Sequence, residues 1–227
     1  MLIAPKRLSH VVSIAGRHHR LTVSSVHPSV TSKTKRCIDI AGAVIGLLLT
    51  AALFIPIAIA ICLDSPGPIL YSQIRCGYQG HRFRMWKFRS MVPNAEQLKQ
   101  QIPNQAKGHI FKNDNDPRMT RVGQFLRRTS LDELPQFWNV LRGEMSLVGF
   151  RPPTVDEVSH YNDRHRKRLH VKPGITGEWQ VNGRSCILNF ETVINLDLRY
   201  HRRWSVAYDL HLIWKTIGVV LHRRGAC

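Results

Sequence analysis

Ile40-Ala41-Gly42-Ala43-Val44-Ile45-Gly46-Leu47-Leu48-Leu49-Thr50-Ala51-Ala52-Leu53-Phe54-Ile55-Pro56-Ile57-Ala58-Ile59-Ala60-Ile61-Cys62-Leu63 is a run of 24 residues without a charge. A bilayer-spanning helix needs about 20 apolar residues, and an amphipathic core helix would show a polar face that is missing here. A cleaved secretion signal fits poorly, because the run begins after residue 39 and is too long for a signal core. Pro56 lies within it, and the absent N–H and the ring's clash with the preceding turn predict a kink or break there. The flanks carry topology. Residues 1–36 hold seven Lys or Arg and no acid, which predicts a cytoplasmic N-terminal side. Residues 65–227 hold 26 basic and 13 acidic residues, net +13, so a single crossing would place one strongly positive segment outside. A hairpin that enters and leaves on the cytoplasmic side, turning at Pro56, removes the conflict.

Around this run the composition is that of a folded chain. The 227 residues carry a formal net charge of +18, with 43% hydrophobic and 8% aromatic residues, which excludes global disorder and predicts one domain plus an anchor. Such a charge calls for a polyanionic partner: nucleic acid, an anionic membrane or a phosphorylated substrate. The five cysteines are scattered without a C-x-x-C pair, which argues against a disulfide framework or zinc cluster and fits a reducing compartment.

Downstream of the run, Asp64-Ser65-Pro66-Gly67-Pro68 reads as a loop. Ile69–Ile74 and His81–Phe88 read as strands joined by a turn at Gly77–Gly80, the second alternating so that Arg82 or Arg84 points outward. Pro93–Gln101, Gly123–Arg128, Leu134–Leu141 and Val206–Leu221 read as helices, the last with an aromatic and apolar body suited either to a membrane surface or to a core.

The residues with most chemical content are Arg127-Arg128-Thr129-Ser130-Leu131-Asp132-Glu133-Leu134-Pro135-Gln136. Ser130 and Glu133 have the spacing of a capping box. Adjacent carboxylates beside two arginines also stay ionised, hold a divalent cation and can attack phosphorus. The two readings are compatible. Lys87 and Arg89, Arg118 and Arg151 sit beside Pro, Gly or Ser on loops, where phosphate clamps are built. Asn113-Asp114-Asn115-Asp116 opens like a calcium loop, but Pro117 follows and the central Gly and terminal Glu are missing, so an EF-hand is rejected. The histidines show no metal-ligand spacing, and no nucleophile-elbow or P-loop motif occurs.

These residues resemble the bacterial sugar transferase family, the monotopic phosphoglycosyl transferases that start membrane glycan assembly. The resemblance runs from Lys35-Arg36-Cys37-Ile38-Asp39 to the end of the chain. It includes Ser65-Pro66-Gly67-Pro68, Gln73-x-Arg75, Lys87-Phe88-Arg89-Ser90-Met91, Asp116-Pro117-Arg118-Met119-Thr120, Ser130 to Gln136, Met145-Ser146-Leu147-Val148-Gly149 and Lys172-Pro173-Gly174-Ile175-Thr176-Gly177. Two departures stand out: Ile55 replaces the serine that precedes the helix-breaking proline, and Phe150 replaces the proline before Arg151, which predicts a looser loop.

The resemblance implies an α+β fold. Residues 1–32 would be a basic, mobile extension, 33–64 a re-entrant membrane helix hairpin broken at Pro56, and 65–227 a small, mostly helical cytosolic catalytic domain with a short β-hairpin and interfacial amphipathic helices. The implied reaction moves a sugar 1-phosphate from a UDP-sugar to polyprenyl (undecaprenyl) phosphate at the cytoplasmic face of the bacterial inner membrane. Asp132 would be the nucleophile and Glu133 its partner, both holding Mg2+; Lys87, Arg89, Arg127 and Arg151 would bind phosphate; Arg118, Gln180 and Arg184 are candidate sugar or nucleotide contacts. Expected partners are anionic lipid and downstream glycosyltransferases, not nucleic acid. The identity of the sugar, the polysaccharide made and the oligomeric state stay open. Two alternatives differ in class: a membrane-anchored basic adaptor for anionic lipid or nucleic acid, whose binding would be salt-sensitive and independent of Asp132, and an inactive scaffold, disfavoured because both carboxylates are present.

Overall fold

The computed structural model describes residues 26–183 and 186–221. A short helix α1 (Pro28–Thr31) leads into α2 (Lys33–Asp64), whose first turn is capped by the Ser32 hydroxyl accepting from the Lys35 N–H. At about 1.5 Å per residue, 32 residues of helix have a contour near 48 Å, more than the ~30 Å of a hydrocarbon core. α2 is a single helical element with Pro56 inside it. Residues on both sides of the proline, Leu53, Phe54, Ile57 and Ile61, join one cluster with Phe88, Leu126 and Leu134.

One stripe of α2 faces the rest of the protein. Lys35, Asp39, Ala43, Gly46, Ile57 and Ile61 are buried, with Thr50, Leu53 and Phe54 half-buried between them, at the three- and four-residue steps of a helix face. At Gly46 the ring of Phe137 comes so near that an added Cβ would stand 2.3 Å from it. The opposite face is bare: Ile45, Leu48 and Ile55 are each 68% exposed, which no core helix of a water-soluble protein would leave. Both ends are tied to the same body. Lys35 Nζ donates to Asp209 Oδ2 (2.6 Å) and to the Val148 carbonyl (3.1 Å), and Asp64 accepts from the Val122 N–H (2.9 Å).

The remaining elements are β1 (Leu70–Cys76), β2 (Arg82–Phe88), α3 (Ala95–Leu98), α4 (Arg121–Thr129), α5 (Gln136–Arg142), β3 (Ser146–Val148), α6 (Val155–Ser159), α7 (Asp163–Arg166), β4 (Gly174–Thr176), α8 (Glu178–Val181), α9 (Phe190–Arg203) and α10 (Val206–Leu221). The expected hairpin forms as β1 and β2 in antiparallel register, Tyr71 opposite Lys87 and Arg75 opposite Phe83, with Arg82 and Arg84 exposed. A second, parallel pair joins β3 to β4. Here backbones touch: a Cβ on Gly149 would lie 2.2 Å from the Lys172 carbonyl oxygen, and one on Gly177 would lie 1.9 Å from that of Gly149. The glycines of both motifs are thus required for close approach. Phe150 does not loosen its loop. It is 1% exposed, packs with Val148, Val171 and Tyr200, and carries the Arg168 guanidinium 5.1 Å from its ring centroid.

On α10, Asp209 and Leu212 are buried while Leu210, Trp214 and Ile217 face outward, so the helix is core on one side and apolar surface on the other. A histidine cluster secures the start of the described chain. His27 Nε2–H donates to the His201 carbonyl (2.9 Å), and the rings of His27 and His170 lie 4.3 and 6.4 Å from that of His201. Burial, then the charges of His27 and His170, hold the His201 imidazole down from 6.5 to about 4. A depressed histidine favours the fold above its unfolded value, so this stabilisation is complete above about pH 6.5 and is lost as pH falls toward 4. Thermal stability should therefore fall on acidification across this window, and His201→Gln should flatten the dependence. An unchanged slope in that variant would assign the acid sensitivity elsewhere.

Candidate active site

The turn after α4 is built by a chain reversal. Thr120 caps α4 by accepting from the Gly123 N–H, and the helix ends at Ser130 in the left-handed region (φ 59, ψ 14). A serine there is held against its preference, a feature that recurs at functional turns. The capping box expected of Ser130 and Glu133 does not form: a cap needs an extended backbone, and Ser130 makes no side-chain cap bond. A capping box does occur at Thr154 and Glu157.

The single 3₁₀ turn Leu131–Glu133 follows, and Pro135 opens α5. Its leucines, Leu131 and Leu134, sink into the cluster that holds Ile57 and Ile61 of α2, and the Thr50 hydroxyl donates to the Leu134 carbonyl (3.3 Å). Asp132 is thereby fixed at 4% exposure. Lys87 reaches across from β2, with Nζ 2.8 Å from Glu133 Oε1 and 3.6 Å from Asp132 Oδ2. One cation thus bridges the two neighbouring carboxylates of this turn. Two carboxylates also suit a hard divalent cation that keeps several waters and takes the rest of its oxygens from a phosphate. No group of three or more His, Cys, Asp or Glu placed to hold a metal occurs among the described residues.

The arginines divide into two sets. Arg89 is buried, and its two terminal nitrogens donate to the carbonyls of Ser65 and Pro66. Arg118 forks onto Asp116 (2.9 and 2.7 Å), donates to the Ala95 carbonyl and lies over Phe111. Both hold loops together through bonds within the protein. Arg127 and Arg151 are more open. Arg127 Nε donates to Ser90 Oγ (3.0 Å) from the exposed last turn of α4. Arg151 faces Glu157 (3.3 Å) with its guanidinium 5.8 Å from the Trp179 ring, and its carbonyl accepts from Arg168, itself paired with buried Asp197 (2.5 Å). Gln180 is half-buried near Gly177, its Nε2 3.5 Å from the Ile175 carbonyl. Arg184 lies outside the described residues.

The structure thus joins Lys87, Asp132 and Glu133 directly. It also draws in two residues to which sequence reasoning gave no role. Tyr71 stands opposite Lys87, its phenol pushed up by burial and by Glu96. Arg75, two positions beyond Gln73, is influenced by both Arg151 and Glu133. The signal was the alternation Tyr71, Gln73, Arg75, which puts all three on the ribbon face of Lys87.

Residues 30–223 match the family model described as bacterial sugar transferase. The chain is 50% identical over 194 residues to the galactosyl transferase CpsE of Streptococcus agalactiae serotype III (strain NEM316), covering 85% of this chain and 43% of that protein. It is 43% identical over 190 residues to the UDP-glucose:undecaprenyl-phosphate glucose-1-phosphate transferase of Escherichia coli (strain K12), covering 81% and 39%. With the exopolysaccharide production protein ExoY of Rhizobium meliloti (strain 1021) it shares 37% identity over 198 residues, 85% of this chain and 87% of that one. The chain therefore spans about two fifths of the first two relatives and most of the third.

Proposed function

Since the chain belongs to the bacterial sugar transferase family, we propose that it transfers a sugar 1-phosphate from a UDP-sugar to undecaprenyl phosphate in exopolysaccharide, capsule or O-antigen synthesis. The observation that carries this reading is the Asp132-Glu133 turn, bridged by Lys87 and seated on the apolar helix α2. Carboxylates and a cation beside an exposed apolar helix suit a reaction between a water-borne nucleotide and a lipid.

An Asp132 carboxylate oxygen attacks the phosphorus that bears the sugar; the bond to UMP breaks, and UMP leaves with the electron pair. The resulting sugar-phosphoryl-aspartate is then attacked by an oxygen of the lipid phosphate, which forms the lipid diphosphate sugar and frees the carboxylate. Phosphoryl transfer asks the protein mainly for positioning and charge stabilisation. Burial fixes Asp132, Lys87 moderates the charge of the dyad, and Arg127 and Arg151 bind the donor's phosphates. Asp132 and Glu133 would hold Mg2+, which supplies charge neutralisation on the diphosphate. Arg89 serves this site indirectly, by fixing the Ser65-Pro66 loop beside β2.

The contacts of α2 support a one-sided membrane arrangement. Because Lys35 at one end and Asp64 at the other are bonded to the same body, a one-sided, re-entrant placement with Pro56 at the deep point is favoured over a straight crossing. The catalytic face would then lie at the cytoplasmic surface, with anionic lipid around it and downstream glycosyltransferases consuming the product. The test is a transfer assay in nanodiscs with undecaprenyl phosphate, Mg2+ and a panel of UDP-sugars. UMP release with one sugar, lost on chelation, is the expected result; a well-folded sample that releases none with any sugar would overturn the proposal.

A further inference from the structure

We propose that Arg75 is a ligand to the diphosphate of the sugar-nucleotide donor, acting as one unit with Arg151; this rests on the transferase reading above. Arg75 sits on β1 opposite Phe83, so its side chain leaves the ribbon on the face that carries Tyr71 and Lys87, away from the face of Arg82 and Arg84. Its strand is sewn to the loop of Arg151. The Cys76 N–H donates to the Pro153 carbonyl (2.9 Å), Arg75 pairs with Thr154 in an isolated antiparallel bridge, and Arg75 Nη1 donates to the Pro152 carbonyl (3.0 Å). The two guanidinium groups therefore share one rigid frame.

What Arg75 lacks is a counter-ion. Among the described residues no carboxylate pairs with it, its Nε is sealed from solvent without a partner, and Glu157, the acid nearest in effect, is already engaged by Arg151. Burial and then the charge of Arg151 bring the Arg75 guanidinium down to about 10. Two cations that act on each other, with Glu157 bonded to Arg151 alone of the two, are relieved by a polyanion. With Nη1 on the Pro152 carbonyl and Nε sealed, Nη2 is the donor left for a phosphate oxygen, and Glu133, whose charge acts on Arg75, sets that anion near the dyad.

The test uses the full chain in nanodiscs with inorganic pyrophosphate as probe, followed by UDP. Arg75→Gln should weaken pyrophosphate binding by about 10- to 100-fold, the loss of one charge-assisted hydrogen bond, and raise KM for the donor more than it lowers kcat. Arg75→Lys, which keeps the charge but cannot hold the Pro152 carbonyl and a phosphate oxygen in the guanidinium's fixed plane, should fall between, and guanidinium ion should restore part of the binding to Arg75→Gln. Arg82→Gln, on the outer face, should match the wild type. Pyrophosphate affinity unchanged in Arg75→Gln, with or without a lower melting temperature, would make Arg75 a strut for Pro152 and overturn the proposal. So would a wild type that does not bind pyrophosphate. If Arg75→Gln folds poorly, the lysine variant decides: undiminished affinity there sinks the idea. Binding that depends on Arg75 in a protein that turns over no UDP-sugar would leave the anion site standing and fault the transferase reading instead.

Discussion

Asp132→Asn is expected to abolish both UMP release and lipid-linked product, by about 10⁴-fold or more if the carboxylate is the nucleophile. The change is nearly isosteric at a residue 4% exposed, so the variant should fold and insert like the wild type. Incubation with a donor labelled in the sugar-bearing phosphate should mark the wild-type protein and leave Asp132→Asn unmarked. Glu133→Gln should retain labelling while slowing turnover, since Lys87 contacts Glu133 at 2.8 Å and Asp132 at 3.6 Å and still has a carboxylate to hold. Residual transfer above about one part in a hundred in Asp132→Asn would remove the nucleophile role, because positioning and charge effects alone account for losses of that order.

Lys35→Met should be the most destabilising single change in the anchor. Lys35 and Asp209 have side chains 5% and 4% exposed, and Asp209 also accepts from Tyr200 and Trp204. Removing the cation leaves a buried carboxylate with neutral donors only, which costs about 3–5 kcal/mol. For a chain of 227 residues this corresponds to roughly 10 °C in melting temperature. Lys35→Met/Asp209→Asn should recover much of the loss, since no isolated charge then remains. A double variant as unstable as the single one would mean that packing, not charge, sets the cost.

Much of this was legible in the chain itself. The apolar run gave α2, and its polar flanks supplied the bounds Lys33 and Asp64; the hairpin β1–β2 and the helix Val206–Leu221 came from alternation and helical periodicity. The β3–β4 pair was not readable, because three residues per strand carry no period, and what holds them is the approach of Gly149 to Gly177, a contact between segments far apart in sequence. Helix α9 was missed for a different reason. Phe190, Val193, Ile194, Asp197 and Tyr200 form its buried face, and an aspartate in that series breaks the apolar pattern until its partner Arg168 is known. At the site, the dyad and Lys87 could be named from motifs. That Arg89 and Arg118 are bound to carbonyls and to Asp116, while Arg75 is left without a counter-ion, depends on tertiary placement that spacing does not encode.

The helix that anchors the chain is also the floor of the dyad turn, and this constrains how the protein can be handled. Ala43, Gly46, Thr50, Ile57 and Ile61 contact or pack with Val140, Phe137, Leu134 and Leu126, the residues that keep Asp132 in place. A deletion at residue 64, the obvious cut for making a tractable soluble enzyme, would strip that floor and leave its apolar partners facing water. Inhibitor screening and crystallisation therefore have to proceed in a lipid mimetic, and the choice of detergent becomes a variable of the catalytic site itself.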